Sequence, residues 1–176
     1  MTEAEIIELV RGGEGINVEF KRSATAITKD VYDTVCAFSN RDGGVILLGV
    51  SDDGTITGVA PEAIDHMKAD FVTAINNAEK FYPPLYLQPQ TFEVAGHVLL
   101  VIQIPPSTQV CRHRGRIFDR NHEADIDITN SVDMVYQLYA RKSSSYFVNK
   151  VTGFQMDDLR ADLIDRAREM TRVRAS

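Results

Sequence analysis

Two glutamates and a lysine near the start of the chain have residue types and spacing that could do chemistry. Glu14 precedes a short stretch that ends in Glu19-Phe20-Lys21. Apolar and polar residues alternate over 16–22, which predicts a strand with Glu19 and Lys21 on the face away from the apolar side chains. A solvated surface could carry such charges for solubility alone, whereas a site for a metal ion or a phosphate would require them.

A cluster of arginines lies much later in the chain. The segment 112–120 contains His113, a single acid at Asp119, and four arginines: Arg112, Arg114, Arg116 and Arg120. The planar guanidinium of arginine makes paired hydrogen bonds to phosphate, so the cluster predicts a phosphate-binding surface. The alternative is a solvated loop whose arginines pair with the acidic stretch 123–127.

The composition limits the classes of protein to which the chain can belong. Its 176 residues are enough for one domain with a sizeable core, and its net charge of −6 argues against a wholly basic nucleic-acid binder while allowing a local basic face. Cys36 and Cys111 are the only cysteines, so no disulfide framework is expected, and a reducing, cytoplasmic setting fits best. The acidic N-terminus does not resemble a signal peptide, and no apolar run is long enough to span a membrane.

The periodicity of the apolar residues predicts a mixture of helices and strands. Helices are predicted over 3–10, 26–40, 61–80, 130–142 and 156–170. Strands are predicted over 16–22, 45–50, 55–59, 91–94, 97–104 and 116–120. The second and third strands are expected to form one hairpin, and the fourth and fifth another. This order predicts an α/β or α+β fold with a small mixed sheet flanked by helices. We expect one domain over 1–150, followed over 151–176 by a C-terminal helix and tail that could begin a linker to a further domain.

Two other chemistries find no support in the sequence. The glycines within 43–54 do not form a phosphate-binding loop, because the pattern GxxxxGK[ST] is absent, and no ATP site is expected. Cys111, His113 and His122 lack the paired spacing of zinc ligands.

The chain contains three ordered motifs, which are EGINVEFK (14–21), AFSNRDGGVILLGVSDDG (37–54) and TITG (55–58). Together these motifs resemble the Schlafen AlbA_2 domain. The shared pattern is a glutamate, then Glu-Phe-Lys, a helix that ends in Ala-Phe-Ser-Asn, two glycines before an apolar strand, Gly-Val with acidic residues, and a closing glycine. The stretch 114–129 is similar to a later strand of the family, in which Phe118 and Arg120 supply the expected aromatic residue and arginine.

The resemblance implies a small sheet flanked by helices and two different functions. In bacteria the domain usually sits at the N-terminus of transcriptional regulators; in vertebrates, members of the family are endoribonucleases that act on transfer and ribosomal RNA. Carried over by position, the residues of that nuclease site are Glu14, Glu19, Asp52 and Lys21, and the neighbouring Asp53 leaves the choice of aspartate open. Mg²⁺ or Mn²⁺ would then be held by the three carboxylates Glu14, Glu19 and Asp52, because hard cations prefer oxygen ligands, while Lys21 would neutralise a phosphate.

The leading hypothesis is a nucleic-acid-binding domain, the N-terminal module of a bacterial transcriptional regulator. The predicted contacts to DNA or RNA are Lys21, Arg22, Arg112, Arg114, Arg116 and Arg120. One alternative is a metal-dependent endoribonuclease that acts on structured RNA, for which a single domain would need to form a homodimer to enclose its substrate. Another is a protein-interaction module with a silent site. Plain loop, surface and turn roles for Glu14, Glu19 and Asp52 also remain open.

Overall fold

The computed structural model describes the backbone of residues 1–151 and the side chains of residues 1–143. In chain order the described elements are α1 (Glu3–Gly12), β1 (Val18–Lys21), α2 (Lys29–Asn40), β2 (Gly44–Leu48), a 3₁₀ turn (Pro61–Ala63), α3 (Ile64–Asn76), β3 (Phe81–Tyr82), β4 (Gln90–Val94), β5 (His97–Ile104), β6 (Arg112–His113), β7 (Phe118–Asn121), β8 (Ala124–Asp127) and α4 (Val132–Val151). The predicted helix over 156–170 and the tail after it lie outside the described residues. None of the described helices is long and apolar enough to cross a membrane.

A four-stranded mixed sheet in the order β1-β2-β5-β4 forms the centre of the fold. β1 and β2 run parallel and are connected by α2, whereas the other neighbours are antiparallel. Because parallel strands end at the same edge of a sheet, the chain leaves both strands side by side, and the backbone N–H of Gly49 donates to the carbonyl of Lys21 at 2.8 Å. The predicted α+β fold with a small mixed sheet flanked by helices is confirmed.

Apolar side chains cover both faces of the central sheet. Leu47 of β2 packs in one cluster with Ile6 of α1, and its neighbours in the strand pack in a second cluster with α2 and α3. Phe20 of β1 belongs to the cluster on the α1 side. Since successive side chains of a strand point to opposite faces, Glu19 and Lys21 are turned towards α2.

The predicted hairpin between 45–50 and 55–59 is wrong. β2 is paired with β1 on one side and with β5 on the other, so neither of its edges is open to a further strand. The chain after β2 returns only as far as an isolated bridge between Val50 and Ile56. A continuous apolar run is typical of a central strand, and a central strand has no free edge for the segment that follows it.

The C-terminal part of the described chain differs from the prediction in two respects. The strand predicted over 116–120 is one half of a hairpin, in which β7 and β8 pair and pack against α2. The helix α4 is longer than predicted, and only some of the apolar residues that recur at helical spacing along it are buried. Leu138 is buried with Val135 packed near it, whereas Val132 and Tyr139 are exposed.

Candidate functional site

Glu19 lies on a covered face of β1, where only 6% of the residue is exposed. Its Oε2 accepts a hydrogen bond from Nη2 of Arg120 at 2.5 Å, and its Oε1 accepts one from Nζ of Lys21, also at 2.5 Å. Both oxygens of the carboxylate therefore have cationic partners. The interpretation of Glu19 and Lys21 as a solvated surface pair is wrong, because the β7–β8 hairpin covers this part of the strand through Arg120.

The side chain of Arg120 is fully buried and links three parts of the chain. Besides Glu19, it donates from Nη1 to Oδ1 of Asp125 at 2.9 Å and from Nη2 to the carbonyl of Gly15 at 2.9 Å. Its guanidinium carbon lies 5.0 Å from the centre of the Phe38 ring. Burial disfavours the charged form, but the hydrogen bonds that Arg120 donates to Asp125 and Glu19, together with the charges of these two carboxylates, outweigh it, and the pKa of Arg120 is raised. The prediction that Arg120 contacts nucleic acid is corrected: this arginine stabilises the fold.

Glu14 is partly buried beside the start of β1. Its Oε1 accepts a hydrogen bond from the backbone N–H of Phe20 at 2.7 Å. Desolvation by burial raises the pKa of Glu14, and the nearby charges of Glu19 and Asp52 raise it further, while the Phe20 hydrogen bond and the charge of Lys21 act in the opposite direction. The residues predicted as one site from separate motifs thus lie within electrostatic reach of one another.

Lys21 lies among carboxylates at the end of β1. Besides its hydrogen bond to Glu19, its Nζ lies 3.6 Å from Oδ2 of Asp30 at the start of α2. Burial lowers the pKa of Lys21, but its hydrogen bond and charge contact with Glu19, and the charges of Asp30 and Glu14, raise it to a greater extent. Its ammonium is therefore already neutralised by the protein, which limits what it can contribute to a bound phosphate.

The predicted carboxylates do not form a metal-binding group as they are arranged. Within the described residues, no set of three or more His, Cys, Asp or Glu side chains lies close enough to hold a metal ion. Glu19 has both oxygens occupied by cations, and Glu14 is bonded to the backbone of β1, so the donors do not fit a divalent cation. Asp53 accepts from the backbone N–H of Thr55 at 2.9 Å, as in ordinary turn chemistry, and Asp52 is the aspartate that interacts with Glu14.

Three of the four arginines in the segment 112–120 lie in or next to one tight turn. Residues 113–116, which we call the arginine turn, are closed by two backbone hydrogen bonds of 2.9 Å between His113 and Arg116. Arg114 and Gly115 at the tip have φ values of 50° and 77°, as a two-residue turn of type I′ requires. Arg112, Arg114 and Arg116 are all exposed. The turn and the residue before it therefore carry three exposed arginines within five positions of the chain.

Buried contacts with α2 and Phe81 hold the arginine turn in place. Nδ1 of His113 lies 2.6 Å from Oδ1 of Asp33 in α2, and its ring stacks on Phe81 with 4.8 Å between the ring centres. Asn40, at the end of α2, holds the segments on either side of the turn. Its side chain accepts from the backbone N–H of Cys111 at 2.7 Å and donates to the carbonyls of Cys111 and Phe118 at 2.9 and 2.7 Å. The Ala-Phe-Ser-Asn motif thus ends in the residue that clamps the arginine turn.

A cavity of about 990 Å³ opens next to the arginine turn. It lies between the segment 78–82, the segment 108–115 and α4, and its wall includes Lys80, Tyr82, Arg112, Tyr139 and Lys142. No motif predicted it, because its residues come from three distant parts of the chain. The sequence carried no direct signal for it, because Tyr139 falls at the helical spacing of Val132, Val135 and Leu138, which favours a buried position.

Comparison with known proteins places the chain in a family. A family model described as "Schlafen, AlbA_2" matches residues 14–129, which include both the acidic motif and the arginine turn. The chain belongs to the Schlafen AlbA_2 family. No curated protein matches it.

Solved structures show how this Schlafen AlbA_2 domain compares with others. The DIP2311 protein from Corynebacterium diphtheriae is 16% identical, with a TM-score of 0.50 over 70% of this chain and 29% of that protein. The N-terminal domain of a RecG-related protein from Nitrosomonas europaea is 23% identical, with a TM-score of 0.44 over 60% of this chain and 74% of that domain. This chain therefore spans less than a third of the DIP2311 protein, and the likeness between the two concerns the fold alone.

Proposed function

We propose that this Schlafen AlbA_2 domain binds nucleic acid through the arginine turn, as the N-terminal module of a longer bacterial transcriptional regulator. The observation that carries the proposal is the exposed tip of the turn, where Arg114 is flanked by Arg112 and Arg116. The place of the module in a longer regulator rests on the resemblance to bacterial members of the family.

The charge of the arginine turn supports binding to a polyanion. Arg112 donates from Nη2 to the hydroxyl of Tyr139 at 3.2 Å, a neutral partner that leaves its charge uncompensated. Arg116 lies 3.6 Å from Asp127, but both side chains of this pair are exposed to solvent, and such pairs are weak enough to be exchanged for a phosphate. The protein has a net charge of −6, whereas the surface around the arginine turn is positive. The phosphate backbone of a nucleic acid should therefore approach the domain from this side.

The rigidity of the turn also supports the proposal. The contacts of His113 and Asn40 hold its two ends in place, so the guanidinium groups need little further ordering when they bind. Asp30 pairs with Lys21, and Asp33, one turn further along α2, pairs with His113. The end of β1 and the arginine turn are therefore both anchored to the first part of α2, and Arg22, the residue that follows β1, is exposed.

The salt dependence of binding tests the proposal. We expect the affinity for labelled DNA and tRNA, measured by fluorescence anisotropy between 50 and 200 mM salt, to fall steeply as the salt concentration rises. Arg114→Ala should weaken binding to every sequence about equally and reduce the salt slope by about one unit, because it removes one phosphate contact. Arg112→Ala should act similarly.

The matched control for these variants is Arg11→Ala. Arg11 is an exposed arginine on α1 that pairs with Glu8, so its removal changes the net charge by the same amount at a different place. Its affinity should stay within about twofold of the wild type. Undetectable binding at low salt, or an equal loss in Arg11→Ala and Arg114→Ala, would contradict the proposal.

The metal-dependent endoribonuclease alternative stays a prediction that the arrangement of the carboxylates does not favour. A cleavage assay with Mg²⁺ or Mn²⁺ should use Asp52→Asn rather than Glu19→Gln. Asp52 is exposed, whereas Glu19 is bonded to the buried Arg120, so a loss of activity in the Glu19 variant would not separate chemistry from folding.

A further inference from the structure

The cavity beside the arginine turn combines aromatic rings with cations. Tyr82 and Tyr139, two of its wall residues, are 64% and 44% exposed. Lys80, Arg112 and Lys142 supply positive charge to the same wall, and Glu79 is its one acidic residue among those described. A cavity with this lining favours a ligand that is both flat and anionic.

Arg112 is a direct neighbour of both tyrosines. Tyr82 on β3 is paired with Arg112 on β6, so the two are cross-strand neighbours. Arg112 in turn donates to the hydroxyl of Tyr139 on α4. The backbone carbonyl of Lys80 accepts from the N–H of Arg114 at 2.7 Å, which joins the cavity wall to the tip of the arginine turn. The cavity and the exposed arginines are therefore one continuous surface.

Lys142 supplies a cation at the inner side of the cavity. It is buried, and the described hydrogen bond of its Nζ is to the carbonyl of Ser39 at 2.8 Å, rather than to a carboxylate. Burial lowers the pKa of Lys142 to about 8, and the charge of Arg141 contributes to this shift. The charges of Asp42 and Asp119 act against this shift, and an anion that entered the cavity would stabilise the charged form of the amine further.

We propose that this cavity receives one unstacked nucleotide of a single-stranded nucleic acid. The base would lie against Tyr139 and Tyr82, since aromatic side chains bind bases of every sequence by stacking, and its phosphates would meet Arg112 and Lys80. The volume of the cavity is of the size that holds small ligands. A base within a duplex is stacked between its neighbours and cannot enter. The inference rests on the proposed function, because that function supplies nucleic acid as the ligand. It adds a preference for single strands over duplexes.

Binding of single strands and duplexes by variants of α4 tests the inference. Tyr139→Ala should weaken binding to a single-stranded oligonucleotide by about 5- to 100-fold, the usual contribution of one stacked base, and leave duplex binding within about twofold. Tyr139→Phe keeps the ring and should retain most of the affinity. Tyr136→Ala is the matched control, because Tyr136 is 73% exposed on the same helix and does not line the cavity.

A second measurement reports the base directly. An oligonucleotide with one 2-aminopurine should lose fluorescence on binding, because the base stacks on tyrosine, and the change should be absent in Tyr139→Ala at saturation. Thermal melting of each variant verifies that it is folded.

The failure of the inference can be told from the failure of the proposed function. If single strands and duplexes bind with equal affinity, and Tyr139→Ala changes neither, the cavity proposal is overturned while binding through the arginine turn stands. Equal losses in Tyr139→Ala and Tyr136→Ala would overturn it as well. If no nucleic acid binds at low salt, both proposals fail.

Discussion

Glu19 and Arg120 form a buried ion pair between residues that are 101 positions apart, with 2.5 Å between Oε2 and Nη2. The pair joins the Glu-Phe-Lys motif of β1 to the late strand β7. Glu19 was predicted to be catalytic and Arg120 to bind nucleic acid. In the structure the two residues instead attach the β7–β8 hairpin to β1.

Replacement of Arg120 should cost much more stability than replacement of an exposed arginine. Arg120→Met leaves the carboxylates of Glu19 and Asp125 without their shared cation, and breaking a buried pair in this way costs about 3–5 kcal/mol of unfolding free energy. Arg116→Met, which breaks an exposed contact, should cost less than about 1 kcal/mol. Denaturation in urea measures both, and equal costs would contradict a structural role for Arg120.

Glu14→Gln should be no less stable than the wild type at neutral pH. The amide oxygen can still accept from the N–H of Phe20, while the desolvated charge and its repulsion by Glu19 and Asp52 are removed. Because the folded-state pKa of Glu14 is raised above 4.5, the folded state binds its proton more tightly, and the wild type loses stability as pH rises through this range. The advantage of the variant should therefore appear above about pH 4.5 and vanish below it.

The control for Glu14→Gln is Glu14→Ala, which also removes the hydrogen-bond acceptor. It should cost about 1 kcal/mol relative to the glutamine variant. Unfolding free energies from urea denaturation, measured across a pH series, give both comparisons. A glutamine variant that is clearly less stable than the wild type at pH 7 would show that the charge of Glu14 stabilises the fold.

Asn40→Ala should destabilise the domain by more than about 3 kcal/mol. The substitution removes three hydrogen bonds to the backbone and leaves the backbone groups of Cys111 and Phe118 buried without these partners. Asn40→Asp keeps the acceptor for Cys111 but sets a carboxylate against two carbonyls, so it too should be unstable. Asn77→Ala, which removes an exposed bond to the N–H of Glu79, should cost about 1 kcal/mol. Similar losses of unfolding free energy in Asn40→Ala and Asn77→Ala would show that the hydrogen bonds of Asn40 contribute little to stability.

Lys142 should titrate near pH 8 in the folded protein, well below its ordinary value of 10.5. Between these two pH values the unfolded state binds more protons at this residue than the folded state, so its contribution to stability rises with pH. Tyr32 and Cys36 have raised pKa values and act in the opposite direction, so the wild type must be compared with Lys142→Met. Carbon-13 NMR of reductively methylated lysines should show one resonance that titrates near pH 8 and is missing in the variant. A value near 10.5 would contradict the burial of this amine.

The sequence by itself determined most of the elements and the family. Apolar periodicity located the four described helices and the hairpin of β4 and β5, because an element that buries one face carries apolar residues at its own structural period. The ordered motifs identified the Schlafen AlbA_2 family, and the tight spacing of Arg112, Arg114 and Arg116 indicated the basic surface. Strand alternation also put Glu19 and Lys21 on one face.

Only the tertiary structure decided what each charge does. The polar face of a strand can be open to water or covered by a distant hairpin, and the pattern of the strand is the same in both cases. Arg120 therefore could not be separated from the three exposed arginines until β7 was placed over α2 and β1. The cavity with Tyr82, Tyr139 and Lys142 has the same origin: its wall is assembled from segments whose proximity no local periodicity records.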